Sequence, residues 1–217
     1  VNGSCYTGIV EKVVNNLKEV GCGTDENYIV IRSTVPPGTS DKLGCYFMPE
    51  FLTEKNFNND FYNCKKWIIG CGKIGIDKNF MDLFDNLICT ACLEGCIKHP
   101  DIIHVTNREA ELTKYIRNAF LSTKISFFNE MEELSRKMNI SYNTIRECVS
   151  FDDRIGSSHM LVPGHDGIRG FGGTCLPKDT TALLHFMQND IKMDSIILKG
   201  VLERNNTIDR PEKDWEK

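Results

Sequence analysis

The sequence predicts an α/β protein in which part of a parallel sheet precedes an all-helical domain built on one long helix. In the first half, short apolar runs at 28–31 and 102–105 alternate with amphipathic stretches, the order typical of parallel strands joined by helices. Residues 109–138 then keep a helical period without glycine or proline, which predicts a helix of about 45 Å. The predicted parts are a sheet domain at 1–107, a helical domain at 108–204 and a polar, frayed tail at 205–217.

Each element of this plan has a local signal. Gly21 ends the first amphipathic helix, and Ser141 has the side chain of an N-terminal cap. Residues 154–173 show no periodicity, and a loop of that length in a compact domain is typical of a binding element. The predicted strands lie at 28–31, 46–48, 66–69 and 102–105, and the predicted helices at 8–20, 39–44, 77–97, 109–138, 141–149, 177–188 and 194–203.

Composition narrows the possible functions. The chain has 41% hydrophobic and 26% charged residues, as ordinary globular proteins do, and its net charge of −4 favours neither nucleic acid nor an anionic membrane as a partner. No apolar run has the length of a membrane span, and ten cysteines without a regular framework favour a reducing, cytoplasmic compartment. The chain begins at Val1 rather than Met, so we expect it to be a piece of a longer protein.

Three of the cysteines lie close together, at Cys89, Cys92 and Cys96. Within the predicted helix 77–97 they share one face, which favours packing in the core, where free cysteine is common. Their spacing is also compatible with a metal or iron–sulfur site. We predict core packing and no metal, and the metal interpretation stays as an alternative.

The stretch 170–179 has the composition of a nucleophile site. Three glycines in four positions allow close approach of a ligand to the backbone. Cys175 follows, directly before a helix that begins at or just before Pro177, and Lys178 is nearby. A thiol at a helix N-terminus beside a positive charge favours the thiolate, although a glycine turn with a small buried cysteine is the alternative.

Residues 70–75 match the G-x-G-x-x-G pattern of a dinucleotide-binding turn, with a predicted strand before them and a helix after them. An acidic residue at about the expected distance, Glu94, would lie inside the helix rather than at the tip of the next strand. The pattern is therefore weak evidence for such a turn.

Polar pairs elsewhere have the spacing of catalytic groups. Lys114 and Asn118 are four residues apart on the long helix, so both can donate hydrogen bonds to a developing oxyanion, or can form a solvated face. Cys175 and Asp179 are also four residues apart. Glu50 and Glu54 follow a predicted strand, where carboxylates can act as a base or a ligand or can simply be solvated.

Several short motifs occur in a fixed order. They are 33–36, 49–52, 110–115 with Asn118, 124–127 with Asn129 and Glu130, 154–156 and 170–179. From about residue 9 to residue 205, their order and approximate spacing resemble those of the UDP-glucose/GDP-mannose dehydrogenase family. The Gly-Phe-Gly-Gly-x-Cys-x-Pro-Lys-Asp signature is highly specific for that family.

The resemblance implies a Rossmann-like sheet domain and the oxidation of a nucleotide sugar, UDP-glucose to UDP-glucuronate, in two hydride transfers to two NAD molecules. Cys175 would be the nucleophile, passing through a thiohemiacetal and a thioester. Lys114 and Asn118 would stabilise the oxyanion. Thr34 and Asp179 would orient the hydrolytic water, with Glu50 as general base. The implied cofactor contacts are Thr34, Glu54 and Lys178, and the implied substrate contacts are Glu50, Phe51, Leu52, Lys114, Asn118, Arg154, Gly164, His165, Asp166, Gly167, Ile168 and Gly172.

The resemblance also implies a homodimer through the long helix, in which Arg154 reaches the substrate site of a neighbouring subunit. Family members have a glycine fingerprint upstream of anything in this chain, and at 70–75 they have an ordinary strand end. They also continue into a UDP-binding domain. We therefore interpret 1–107 as the second half of an NAD-binding domain and 205–217 as a linker, and we expect this piece alone to be weak or inactive. The alternative is a degenerate, non-catalytic homologue that acts as a dimerisation module.

Overall fold

The computed structural model describes residues 3–24, 27–53, 55–72 and 77–216. These residues form two compact units. One is Cys5–Tyr115, and the other comprises the described residues from Ile116 onward together with Gly3 and Ser4.

The first unit contains a four-stranded sheet in the order β1-β2-β3-β4. β1 (Val30–Ile31) is parallel to β2 (Tyr46–Phe47), and β3 (Trp67–Gly70) is parallel to β4 (Ile102–Val105). The predicted α/β class is thus confirmed.

One pairing departs from the predicted all-parallel sheet. β2 and β3 are antiparallel, and a single residue pair, Phe47 opposite Gly70, defines that pairing. An apolar run predicts a buried strand but carries no information on its direction, because direction depends on which strands become neighbours.

Four helices lie entirely within the described residues of the first unit, namely α1 (Gly8–Glu19), α2 (Thr39–Leu43), α3 (Phe57–Tyr62) and α4 (Lys78–Leu93). The sequence predicts three of them and misses α3. One apolar cluster packs α4 against β3 through Phe80 and Ile69, and another packs α1 near Phe47 through Val14. Both clusters hold the sheet in place by burying apolar area.

The predicted burial of the cysteine group is wrong. Cys89 and Cys96 are exposed and Cys92 is half-buried. α4 buries a different face, formed by Phe80, Phe84 and Ile88 at steps of four residues. The helix also ends at Leu93, four residues before the predicted end, so Cys96 lies beyond it, after Gly95 with a φ of +71°.

α5 (Asn107–Lys137) is one uninterrupted helix of 31 residues, which confirms the predicted long helix. α6 (Tyr142–Ser150), α7 (Leu176–Asn189) and α8 (Ile196–Arg204) follow it. Ser141 caps α6 as predicted, because its hydroxyl accepts a hydrogen bond from the Thr144 amide at 3.3 Å. None of the described helices combines the length and the apolar character needed to cross a membrane.

The end of the chain is more ordered than the sequence predicts. Asn205–Asp209 forms a π-helical turn directly after α8, and Asp214–Glu216 forms a 3₁₀ turn. Asn205, Asp209 and Arg210 are buried. The prediction of a frayed tail is therefore wrong, because these polar side chains find buried partners.

Candidate active site

The predicted nucleophile loop, residues 170–175 and below called the nucleophile loop, leads into α7. Gly170 and Gly173 have φ values of +69° and +71°, a conformation that glycine adopts without strain. Cys175 is the N-cap residue of α7 and is exposed, so the alternative of a buried thiol is wrong. The Thr174 hydroxyl lies 3.7 Å from the Cys175 sulfur.

Asp179 lies one turn into α7 and is only 1% exposed. Its Oδ2 accepts a hydrogen bond from Asn118 Nδ2 at 2.6 Å, and its Oδ1 accepts one from Lys178 Nζ at 2.5 Å. Buried carboxylates require such partners, since an unpaired buried charge is costly. The structure therefore brings three predicted site residues together at the first turn of α7, namely Asn118, Lys178 and Asp179.

The predicted substrate loop, 164–168, is closed by its own backbone. The Gly164 amide donates to the Ile168 carbonyl at 2.9 Å, and Asp166 Oδ1 accepts from the Ile168 amide at 3.1 Å. The other oxygen of Asp166 pairs with Arg210 at 2.6 Å. Burial alone would raise the pKa of Asp166, but the hydrogen bond from Arg210 holds it below its ordinary value.

Arg154 is exposed, and its guanidinium is held by Asp152 with N–O distances of 2.5 to 3.2 Å. The loop that carries it is anchored to α5, because Lys124 Nζ donates to the carbonyl of Ile155 at 2.8 Å. Burial lowers the pKa of Lys124. Arg154 therefore lies on an exposed but locally fixed loop.

The other predicted residues belong to the first unit. Thr34 follows the C-terminal end of β1 and is half-buried, and its carbonyl accepts a weak hydrogen bond from the Cys5 thiol at 3.7 Å. The segment after Thr34 is fixed by Glu111, which is fully buried and accepts hydrogen bonds from the amides of Gly38 at 2.5 Å and Ser40 at 2.8 Å. Burial raises the pKa of Glu111 despite these bonds.

Glu50 follows β2 and is exposed, with its carboxylate 3.6 Å from Arg32. Lys114 is 8% exposed, so the alternative that it lies on a solvated helix face is wrong. Its ammonium group donates a hydrogen bond to the Glu50 carbonyl at 2.7 Å. A small cavity of about 40 Å³ opens here, lined in part by Phe51 and Leu52. Glu54 lies outside the described residues.

The glycine pattern at 70–75 has a packing role where it is described. A Cβ on Gly70 would lie 2.9 Å from the Asn107 backbone and 3.1 Å from the Phe47 carbonyl, so the start of α5 requires glycine here. Gly72 has a φ of +64°. Gly75 lies outside the described residues. The described part of this turn is thus explained by close packing of a strand against a helix.

Cys71, His104 and Asp85 form a row with the residue types of a second nucleophile site. The Cys71 sulfur lies 3.3 Å from His104 Nδ1, and His104 Nε2 lies 2.8 Å from Asp85. However, Cys71 is 1% exposed, and burial raises the pKa of its thiol to about 11. The row is therefore a structural contact whose thiol is buried, although Asp85 at its other end is about half exposed.

Sequence reasoning gave no role to Glu111, Asn205 or Arg210. The signal for Glu111 was present, because it precedes Lys114 and Asn118 by three and seven residues and so shares their helix face. Asn205 and Arg210 offered no comparable pattern. Among the described residues, no group of three or more His, Cys, Asp or Glu side chains could hold a metal ion.

Comparison with solved structures defines the class. The chain is similar to the structure of a UDP-glucose dehydrogenase from the hyperthermophilic archaeon Pyrobaculum islandicum, with a TM-score of 0.76 and 30% identity over 94% of this chain and 47% of that one. The fold is that of a nucleotide-sugar dehydrogenase.

Sequence comparison agrees. Residues 108–207 match the central domain of the UDP-glucose/GDP-mannose dehydrogenase family. A UDP-glucose 6-dehydrogenase of Rickettsia prowazekii is 33% identical over 189 residues, which cover 82% of this chain and 40% of that protein. One of Campylobacter jejuni is 31% identical over 206 residues, which cover 92% and 48%. The chain is thus similar to UDP-glucose/GDP-mannose dehydrogenases over most of its length, and it spans less than half the length of these relatives.

Proposed function

We propose that the protein oxidises UDP-glucose to UDP-glucuronate with NAD, and that Cys175 is its nucleophile. The observation that carries the proposal is the arrangement at the start of α7, where an exposed thiol follows a glycine loop and a buried carboxylate lies one turn further on. The similarity to proteins named UDP-glucose 6-dehydrogenase supports the choice of substrate.

The proposed reaction uses the thiol to retain the aldehyde. The sugar's primary alcohol loses a hydride and a proton, and Glu50 takes the proton. The Cys175 thiolate then adds to the aldehyde carbon, and with one proton it gives a thiohemiacetal. Loss of a second hydride and the hydroxyl proton leaves a thioester. Water, oriented by Asp179 and Thr34, cleaves the carbon–sulfur bond and releases the carboxylate and the thiol.

Lys114 and Asn118 supply the charge stabilisation in this scheme. Both donate hydrogen bonds, and an oxyanion develops when the thiolate adds and again when water attacks. Each side chain is already oriented, Lys114 by the Glu50 carbonyl and Asn118 by Asp179. Fixed donors need little reorganisation during the reaction, which is why such groups lower barriers.

NAD, when bound, supplies the hydride acceptor for both oxidations. The proposed contacts are Thr34 and Lys178 together with Glu54. Thr34 fits this role because it follows the carboxyl end of a parallel strand, where open α/β sheets bind ligands. Gly70 does not add to the contacts, since the start of α5 occupies the space beside it.

The proposed assembly is a homodimer with a second copy on the exposed face of α5. That face carries Ile116, Phe120, Phe127, Leu134 and Met138, each about half or more exposed. Exposed apolar area of this extent on a long helix favours a protein partner. The exposed position of Arg154 supports its proposed reach into a neighbouring subunit.

The test replaces the thiol in the complete protein. We expect Cys175→Ala to lower NADH production from UDP-glucose and NAD by on the order of 10³-fold or more, because the covalent route is lost. Cys148→Ala, at an exposed cysteine on α6, is the matched control and should keep full activity. Undiminished turnover in Cys175→Ala would contradict the mechanism. No turnover in the unsubstituted protein, combined with normal dimerisation, would favour the non-catalytic alternative.

A further inference from the structure

The nucleophile loop rests on the segment 205–210, which contacts successive loop residues. Asn205 Oδ1 accepts from the Phe171 amide at 2.8 Å, and Asn205 Nδ2 donates to the Phe171 carbonyl at 3.0 Å. A Cβ on Gly170 would collide with the Asn205 side chain, and one on Gly172 would collide with the Arg210 guanidinium. Two of the signature glycines are therefore required by this segment.

Arg210 is 3% exposed and joins two carboxylates. Its Nε and Nη2 donate to the two oxygens of Asp214, both at 2.6 Å, and Nη1 donates to Asp166 Oδ2 at 2.6 Å. Arginine suits this position because its planar fork can hold one carboxylate bidentately and still reach another. The hydrogen bonds that Arg210 donates to Asp214 and Asp166 raise its pKa, so the guanidinium stays charged.

The contacts of Arg210 link two loops that the proposed function uses. One is the substrate loop 164–168, which Asp166 closes through its bond to the Ile168 amide. The other is the nucleophile loop, where the guanidinium occupies the side of Gly172 that a side chain would fill. Cys175 lies three residues after Gly172. A displacement of the guanidinium would therefore free both loops.

We propose that Arg210 is a positioning residue that fixes the substrate loop and the nucleophile loop relative to each other. The proposal rests on the proposed function for the role of Cys175. Arg210 acts through Asp166 and Gly172 and takes no part in the chemistry itself. A misplaced nucleophile loses rate steeply, because reacting atoms must meet at close range in one orientation.

The experiment compares Arg210→Lys with Arg204→Lys in the complete protein. Arg204 is a matched control, since it is also a mostly buried arginine of this region. Within the described residues its ion pairs are with Glu130, Glu133 and Asp209, which lie outside both loops. We expect Arg210→Lys to lower kcat on the order of 10- to 100-fold. Amide hydrogen exchange in 164–175 should be about fivefold faster or more, with exchange in α6 unchanged. Arg204→Lys should leave kcat and the exchange of both loops within about twofold.

Unchanged loop exchange and unchanged kcat in a folded Arg210→Lys protein would overturn the proposal. Faster exchange throughout the second unit would also overturn it, since that result indicates general destabilisation. If Arg210→Lys does not fold, Asp166→Asn removes one partner of the guanidinium and should give the same local signature. Loop exchange does not depend on turnover, so an inactive protein with Arg210-dependent loops would refute the proposed function alone.

Discussion

Two cysteines show how the surroundings of a thiol separate a structural residue from a reactive one. Cys71 has histidine and aspartate partners in line, yet it is buried, and burial raises the pKa of its thiol to about 11. Cys175 has only a threonine hydroxyl beside it in the part of the chain that the structure describes, at 3.7 Å, and it is exposed at the start of a helix. Exposure, rather than the presence of a histidine, distinguishes the candidate nucleophile.

Alkylation should separate these thiols. At pH 8, a thiol with a pKa of about 11 is ionised in only about one molecule in a thousand, so Cys71 should remain unmodified by iodoacetamide in the folded protein. Cys175 and the exposed Cys148 should react under the same conditions. Peptide mass spectrometry gives the extent at each site, and the urea-denatured protein is the control in which all three react. Modification of Cys71 as fast as Cys148 would contradict the buried setting.

At the scale of elements, α5 buries several polar side chains beside apolar ones such as Tyr115 and Ala119, and it exposes other apolar side chains. Its buried residues include Glu111, Lys114, Ser122, Ser126 and Asn129, which fall on one face at steps of three, four and eight residues. The opposite face exposes an apolar stripe from Ile116 to Met138. A surface helix normally places its apolar side inward, so the exposed stripe supports the proposal of a second copy on this face.

A charge in the stripe should disrupt the proposed dimer. We expect Phe120→Asp to convert the dimer to monomer, because Phe120 is 64% exposed in one chain and an aspartate buried in an interface would lack a partner. Light scattering after size-exclusion chromatography gives the mass. Phe151→Asp makes the same change at a residue 79% exposed that lies outside α5, and it should not alter the mass. A dimer of unchanged affinity in Phe120→Asp would exclude the stripe as the interface.

The elements also show which features a sequence can predict. α6 behind Ser141 and α8 behind Ser195 begin within two residues of their predicted starts, because a capping side chain marks where a helix begins. α3 was missed because its six residues show no period and, unlike the five residues of α2, are not bounded by glycines. The π-helical turn at Asn205–Asp209 was missed because buried partners such as Phe171, rather than local pattern, hold it.

At the scale of the whole molecule, carboxylates whose pKa values are shifted in opposite directions contribute to the response to acid. Glu133 receives hydrogen bonds from Lys137 and Arg204, which lower its pKa to about 2. Asp209 has Arg204 and Arg169 beside it, but burial raises its pKa. The stabilisation from Glu133 is fully present above the pKa of a glutamate in the unfolded chain, about 4.5, and is lost as pH falls toward 2. The raised pKa of Asp209 has the opposite effect, because its ionisation at higher pH lowers the stability of the fold.

We therefore expect Glu133→Gln to reduce the acid sensitivity of folding. From about pH 5 to about pH 3, a range that includes the ordinary pKa of glutamate, the free energy of unfolding should fall more steeply in the unsubstituted protein than in the variant. Urea denaturation at both pH values measures this difference. Glu147→Gln, at an exposed carboxylate of α6, should retain the original pH dependence. Equal slopes for all three proteins would show that Glu133 does not contribute.

The sequence predicts some residues of the candidate site, but it does not predict the residues that hold the loops of that site in place. Cys175, Asn118 and Asp179 could be predicted as candidates because their types and spacing fit a known chemistry, and the structure places Asn118 against Asp179. Arg210 and Asn205 escaped because a side chain that supports a loop from far along the chain has no local signature. Long-range contacts of this kind become visible only when the fold is known.

The support of the nucleophile loop has a consequence for the order in which the molecule is made. Gly170 depends on Asn129, made 41 residues earlier, while Phe171 depends on Asn205, made 34 residues later. During synthesis, Cys175 therefore leaves the ribosome well before the residues that fix its loop. The thiol passes through a period without its native geometry, and the loop can settle only after residue 210 and its partners are available.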